Sequence, residues 1–255
     1  MIQIFRRIRH GLISEGHLSK YLAYAVGEIL LVVIGILIAL QINDANEQRL
    51  ERKKELQYLE SLKTDLGVNV TELEKFIADR QSRLDSAHVI MGHFEGKPVS
   101  SLEDFAYNNI HVMAWTKFYQ NNNTFQELVN SGSLSILSNQ EIKSRLMDLE
   151  LLYKKMKSDE DHMRFDFEGY MYDPLFVNVD VDPMQRNYVY RLTSGALGDQ
   201  PALSRGDVDK ILASIKMKNG FAMAILMLGT TNDELKEIQV KTRELIELID
   251  EEVSL

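Results

Sequence analysis

The longest apolar pattern in the chain runs from Tyr21 to Ile42, YLAYAVGEILLVVIGILIALQI, and carries one carboxylate, Glu28, near its start. A helix rises about 1.5 Å per residue, so about 20 such residues cross the roughly 30 Å hydrocarbon core of a bilayer. The pattern predicts a transmembrane helix over residues 21–42. A cleaved signal peptide competes with it, because the uninterrupted core Ile29 to Leu40 is short and basic residues precede it. After Leu40, however, come Gln41, Ile42, Asn43, Asp44, Ala45 and Asn46, with no small-x-small cleavage pattern, and helical polar sequence continues. A retained anchor is the expectation.

At about 100° per residue, Tyr24, Glu28, Val32, Gly35, Ala39 and Ile42 fall near one stripe of that helix. Gly35 and Ala39 form a small-xxx-small pair that permits close helix approach, and a carboxylic acid within the bilayer seeks a partner or a proton. Tyr24, Glu28, Val32, Gly35 and Ala39 are therefore the candidate contact face for self-association or for another membrane helix. In the competing reading, Glu28 snorkels to water and the Gly/Ala spacing is chance.

Beyond the membrane the helical period persists while polarity rises. Leu59, Leu66, Leu73, Ala87 and Phe94 recur at multiples of seven, broken by Arg80, with Val70, Ile77, Leu84 and Met91 as a parallel series. This coiled-coil-like stripe predicts a long helix, bent at Gly67, that reaches the Gly92 to Ser101 region and packs inside a bundle. Five capping boxes follow: Ser101/Asp104, Thr124/Glu127, Ser138/Glu141, Ser204/Asp207 and Thr231/Glu234. They predict helices over about 102–118, 124–131, 139–172, 205–228 and 232–252, with Gly132 and Gly229 as terminators. Pro174, Pro183 and Pro201 cluster in a stretch, about 173–203, that reads as an irregular loop; VNVDVDP within it alternates like a short strand or extended segment. FAMAILML, Phe221 to Leu228, is too short to span a bilayer and reads as buried core helix. The expected class is all-α: an N-terminal transmembrane helix followed by a soluble bundle of long antiparallel helices over residues 43–255.

Charge divides the chain in the same place. Residues 1–23 carry Arg6, Arg7, Arg9 and Lys20 against Glu15, a net +3; removing them and Glu28 from the total of −9 leaves −11. The basic tail, residues 1–20, suits an anionic membrane surface, either as an interfacial amphipathic segment or as a plain positive flank. The acidic domain argues against nucleic acid as a partner. Lys/Arg counts tie across the membrane, four on each side with Arg49, Arg52, Lys53 and Lys54 on the far flank. A short basic tail stays cytoplasmic more readily than a long domain does, which favours an extracytoplasmic bundle. Absence of cysteine excludes disulfides, thiolate metal sites and cysteine nucleophiles.

Sequence motifs for chemistry are lacking. There is no phosphate-cradling glycine loop, HExxH pair or G-x-S-x-G elbow. His10, His17, His88, His93, His111 and His162 are scattered and read as surface or core residues. Asn178, Asp180 and Asp182 have the spacing of early EF-hand ligands, but Pro183 replaces the needed glycine and Val189 the bidentate glutamate. The run DEDHMRFDFEGYMYD, Asp159 to Asp173, reads as core aromatics with a solvated acidic face. Arg205 to Asp207, an RGD tripeptide, sits on a helix start, and N-x-T sequons occur at Asn69 and Asn122. No catalytic, cofactor or metal residue is assigned, and an enzyme is not expected.

FRRIRHGLISEGHLSKYLAYAVGEILLVVIGILIALQIN resembles the N-terminus of an uncharacterised family of short single-pass membrane proteins of Bacteroidota, and TFQELVNSGSLSILSNQEIKSRLMDLE resembles its second recurrent block. Ala45 departs from the aromatic residue often found at the membrane exit. The resemblance implies a bacterial single-pass protein with a helical soluble domain and no assigned activity. Two functions remain: an interaction or scaffold protein of the inner membrane, self-associating or docking to another membrane protein, and a small-molecule-sensing bundle acting through a partner.

Overall fold

The computed structural model describes residues 18–114 and 116–254. The expected amphipathic tail lies outside the described residues except for the helical backbone of residues 18–20, and so do the side chains of Tyr21 and Tyr24. Every regular element among the described residues is helical, with no strand. In chain order they are α1 (Leu18–Phe94), α2 (Leu102–Met113), α3 (Asn123–Asn130), a 3₁₀ turn (Ser133–Ile136), α4 (Gln140–Phe167), a π turn (Glu168–Tyr172), α5 (Asp173–Asn178), α6 (Asp182–Leu192), α7 (Arg205–Ala213) and α8 (Ile215–Ser254). The chain divides into two units, residues 1–57 and 58–255, and α1 contributes to both.

In the first unit α1 carries the apolar stretch in full. Its most apolar 18-residue window has a mean hydropathy of 2.6, and none of it is buried. Among the described residues this is one helix long and apolar enough to span a membrane. Together α7 and α8 also reach that composition, but they bend by 75° at Ser214, and Phe221, Ala224 and Leu228 of α8 are buried in a protein core.

The second unit is built on three long helices. Contacts of Lys63 with Asp250 and of Gln81 with Asn232 descend α8 as α1 ascends, so the two are antiparallel. Pairs Asn139–Glu252 and Arg145–Glu244 set α4 antiparallel to α8 as well. Consequently α4 lies parallel to α1. Buried positions alternate by three and four: Ile142, Leu146, Leu149, Tyr153 and Met156 on α4, and Leu228, Thr231, Leu235, Ile238 and Thr242 on α8. That spacing keeps one stripe of each helix turned to the others.

Helix α1 runs as one long helix through Gly67 to Phe94, as expected. Other sequence expectations are corrected. The second buried series of α1 is Leu62, Asn69, Arg83 and Ile90; the last three stand one residue before the expected Val70, Leu84 and Met91, which like Ile77 are only partly buried. The ranking of apolar over polar residues hid it. Caps form as expected at Ser101 and Ser204, whose hydroxyls accept the Asp104 and Asp207 N–H groups. At α4 the cap is Asn139, one residue after Ser138. Thr124 caps nothing; its own N–H donates to Asp65 of α1.

Thr231 lies inside α8, which runs unbroken through Gly229. Its hydroxyl donates to the Met227 carbonyl of its own helix. A mid-helix glycine costs about 1 kcal/mol, less than the packing of Leu228 and Leu235 on either side supplies. The stretch 173–203 is largely helical rather than a loop, because Pro174 and Pro183 occupy the first turns of α5 and α6, where no N–H partner is lost. Helix α6 packs on α2 through Asn187 to the Glu103 carbonyl and through Arg191, which pairs with Asp104 and lies over the Tyr107 ring.

Two glycines give opposite expectations. A Cβ on Gly220 would meet Met171 Cγ at 2.7 Å and the Tyr170 carbonyl oxygen at 3.0 Å, because α8 presses against the π turn. Gly220→Ala is expected to destabilise the fold by about 1–3 kcal/mol. Gly67 is helical with no neighbour within 4 Å, so Gly67→Ala is expected to stabilise by about 0.5–1 kcal/mol. Denaturant unfolding of both variants checks the pair; a neutral Gly220→Ala would contradict the close approach.

Candidate functional site

The interruption of the α1 heptad by Arg80 turns out to be an organised feature. Two apolar cores occupy the bundle, one containing Leu73, Met156 and Leu235, the other Ala87, Met163 and Leu228. Between them every long helix presents polar residues: Arg80 on α1, Glu160 on α4, Thr231 and Asn232 on α8, all 2% exposed or less. Arg80 Nη2 donates to Glu160 Oε1 at 2.6 Å. Burial pushes the Glu160 carboxyl up against the pull of Arg80 and pushes the guanidinium down. Among the described residues Arg80 Nη1 and Glu160 Oε2 are buried without a hydrogen-bond partner.

This layer also secures the connection after α2. Arg83 donates to the carbonyls of His111 (2.8 Å) and Ala114, closing the C-terminal turn of α2 that otherwise ends with unpaired acceptors. The helix therefore stops at Met113, short of the expected residue 118. Residues 116–122 then form a non-helical strap. Asn69 holds both backbone groups of Asn121, donating to its carbonyl at 2.8 Å and accepting its N–H at 2.7 Å. Asp65 accepts from the Asn121 side chain (3.0 Å) and the Thr124 N–H (2.9 Å), while Arg80 reaches the Thr116 carbonyl. From Asn69 to Arg80 the helix advances about 16 Å, which five strap residues match only when extended. The strap thus runs antiparallel to α1, its backbone satisfied by side chains instead of a sheet.

Where the strap crosses α4 it leaves a groove of about 330 Å³ lined by Phe118, Tyr119, Gln120, Asn122, Glu150, Tyr153, Lys154, Met156 and Lys157. An inner cleft of about 30 Å³ shares Gln120, Asn122, Glu150 and Tyr153 and reaches Asn121, Leu66 and Leu149. Tyr153 forms the floor, stacked on Phe118 with ring centroids 6.0 Å apart. Burial holds its hydroxyl pKa well above the ordinary range. Glu150 accepts from Gln120 Nε2 at 2.8 Å and from Asn122 Nδ2 at 3.4 Å. Sequence reading missed this site because the face Glu150, Tyr153, Lys154 and Lys157 of α4 becomes a groove only when the distant strap crosses it.

Other candidates resolve individually. His111 is buried, bonded to Ser86 Oγ at 2.9 Å and stacked on Tyr107. Burial, with Arg83 nearby, lowers its pKa, so it is neutral near pH 7. His88 is exposed, and His162 sits 3.6 Å from Asp166. The Asp159 to Asp173 run departs from the expected division: Glu160 and Asp166 are buried and Phe165 is exposed. Asn69 is 3% exposed and fully engaged with the strap, so its sequon is closed to modification. Among the described residues no cluster of three or more potential metal ligands occurs.

Of the expected membrane face, Val32 is 58% exposed, Ala39 is exposed, Glu28 is partly exposed, and nothing lies within 4 Å of where a Gly35 Cβ would be. The Tyr24 side chain lies outside the described residues.

A family model described as a family of unknown function, DUF6090, matches residues 28–197, two thirds of the chain. The chain belongs to this family. The match runs from Glu28 through the strap and the groove to residue 197, just past the end of α6. No curated protein and no solved structure matches.

Two measurements test the site. Arg80→Met leaves Glu160 buried and unpaired and is expected to cost about 3–5 kcal/mol. Adding Glu160→Leu should recover part of that loss; a double variant less stable than Arg80→Met alone would contradict the pairing. His111 has a folded pKa below its unfolded value of 6.5. The unfolded chain binds more protons in that window, so the His111 contribution is present above pH 6.5 and lost as pH falls through the folded pKa. The slope is up to about 1.4 kcal/mol per pH unit. Comparing unfolding free energies of wild type and His111→Gln from pH 7.5 downwards should show the variant less sensitive; parallel curves would remove His111 as the cause.

Proposed function

We propose that this member of the DUF6090 family is a non-catalytic interaction or scaffold protein of the bacterial envelope. It is held in the inner membrane by α1 with its N-terminus cytoplasmic and its bundle extracytoplasmic. The observation that carries the reading is the α1 window of hydropathy 2.6 with no residue buried. Apolar side chains such as Ile29, Leu31 and Ile42 are each more than 60% exposed, a surface that water penalises and lipid accepts. Resemblance of the N-terminal block supports an origin in Bacteroidota. In this reading Tyr24, Glu28, Val32, Gly35 and Ala39 form the face that meets a second copy or another membrane protein.

A second reading, a ligand-sensing bundle acting through a partner, is favoured by one observation, the groove between the strap and α4. Concave sites of about 300–1,000 Å³ are where proteins take small molecules.

The membrane reading is tested by crosslinking. Gly35→Ile combined with Glu28→Leu is expected to abolish in-membrane crosslinks between copies or to a partner; undiminished crosslinking would sink the contact face. A C-terminal reporter active only in the cytoplasm should stay silent, and a strong signal would reverse the orientation.

A further inference from the structure

The groove is rich in hydrogen-bond acceptors. Glu150 supplies a carboxylate, and the amide nitrogens of Gln120 and Asn122 are turned to it, leaving their side-chain carbonyls without a hydrogen-bond donor among the described residues. At the inner cleft Asn121 Oδ1 is buried with no hydrogen-bond partner. A buried acceptor left without a partner is costly, and the cleft beside it has room for one water or one hydroxyl group. A ligand that fits these groups brings several donors.

A cationic amine meets that demand but is opposed by Lys157 and by Lys154, whose ammonium already lies 3.9 Å from the Glu150 carboxylate. An anion suits the lysines but is repelled by Glu150. A neutral hydroxyl-rich ring meets both, because each hydroxyl donates to a carbonyl or carboxylate and accepts from an ammonium. Tyr119 adds an aromatic face, lining the groove while 78% exposed. Exposed tyrosine offers contact area to the carbon skeleton of such a ring at little conformational cost. We propose that the groove between the strap and α4 binds a neutral sugar ring, with Glu150, Gln120 and Asn122 as hydroxyl acceptors and Tyr119 as the stacking platform. This names the ligand class for the sensing reading and rests on it.

The experiment uses the full-length chain in lipid nanodiscs, which avoids sugar-headed detergents. Saturation-transfer NMR is recorded with glucose and N-acetylglucosamine, and with phenethylamine and glucuronate as cationic and anionic comparators. Neutral sugars are expected to bind with dissociation constants in the millimolar range. Tyr119→Ala and Gln120→Leu should each weaken that binding by about ten-fold, since about 1.4 kcal/mol is one contact of this kind. Tyr119 is exposed, so its variant should unfold at the wild-type temperature. Absent sugar signals, signals that survive both substitutions, or preference for phenethylamine would overturn the assignment. If the sugars fail while a small-molecule library gives a thermal shift that Tyr119→Ala removes, the sugar class falls and sensing stands. If nothing shifts the protein, both fall, and the crosslinking result decides the scaffold reading on its own.

Discussion

The Arg80–Glu160 pair is the constraint on which the bundle depends. Two charges taken out of water cost several kcal/mol each, and only close geometry with further hydrogen bonds offsets that cost. Here the offset requires α1 and α4 to meet at one register, since a slip of a single turn would bury each charge alone. Thr231 and Asn232 place α8 in the same layer, and Asn232 reaches Gln81 of α1 at 3.3 Å. Apolar layers above and below would tolerate sliding by a heptad; the polar layer does not. A registry role of this kind is the best-attested use of buried polar groups in helical assemblies.

The same residues solve a second problem. An extended segment inside a helical protein has no ladder to satisfy its backbone, and orphaned groups there are costly. Asp65, Asn69 and Arg80 on one face of α1 serve as that ladder, with Glu160 accepting the Phe118 N–H and Arg83 holding the preceding end of α2. Register of α1 and placement of the strap are therefore one decision. The groove follows from it, because its walls are the strap and the adjoining stripe of α4.

What the sequence made legible was whatever repeats locally. The apolar run, the heptads from Leu59 to Leu73 and the caps at Ser101 and Ser204 each depend on residues within a few turns. Illegible were features in which a polar residue does a distant job. Arg80 looked like a break because its partner is 80 positions away, and Asn69 looked like a sequon because its partner is Asn121. Thr124 resembled a cap because the true one, Asp65, sits on another helix. Pro174 and Pro183 misled in the opposite sense: a proline that starts a short helix and one that ends a long one look alike until the neighbouring turns are seen.

The family match ends before α8 begins. What α8 must supply is less specific than what the matched stretch supplies: a stripe at three-four spacing, one polar step at Thr231 and Asn232, and a small residue at Gly220 facing the π turn. Many sequences meet such a requirement, whereas the strap needs Asp65, Asn69 and Arg80 in fixed order opposite an extended segment. The specific information of the fold is thus concentrated between α1 and α4, and the groove is built from that same stretch. One wall of the groove is a helix, and the other is an extended strap whose backbone is fixed by side chains of α1, so both walls are held in place before any ligand arrives. That coincidence is the physical reason to look for ligand chemistry at the strap before looking elsewhere on the bundle.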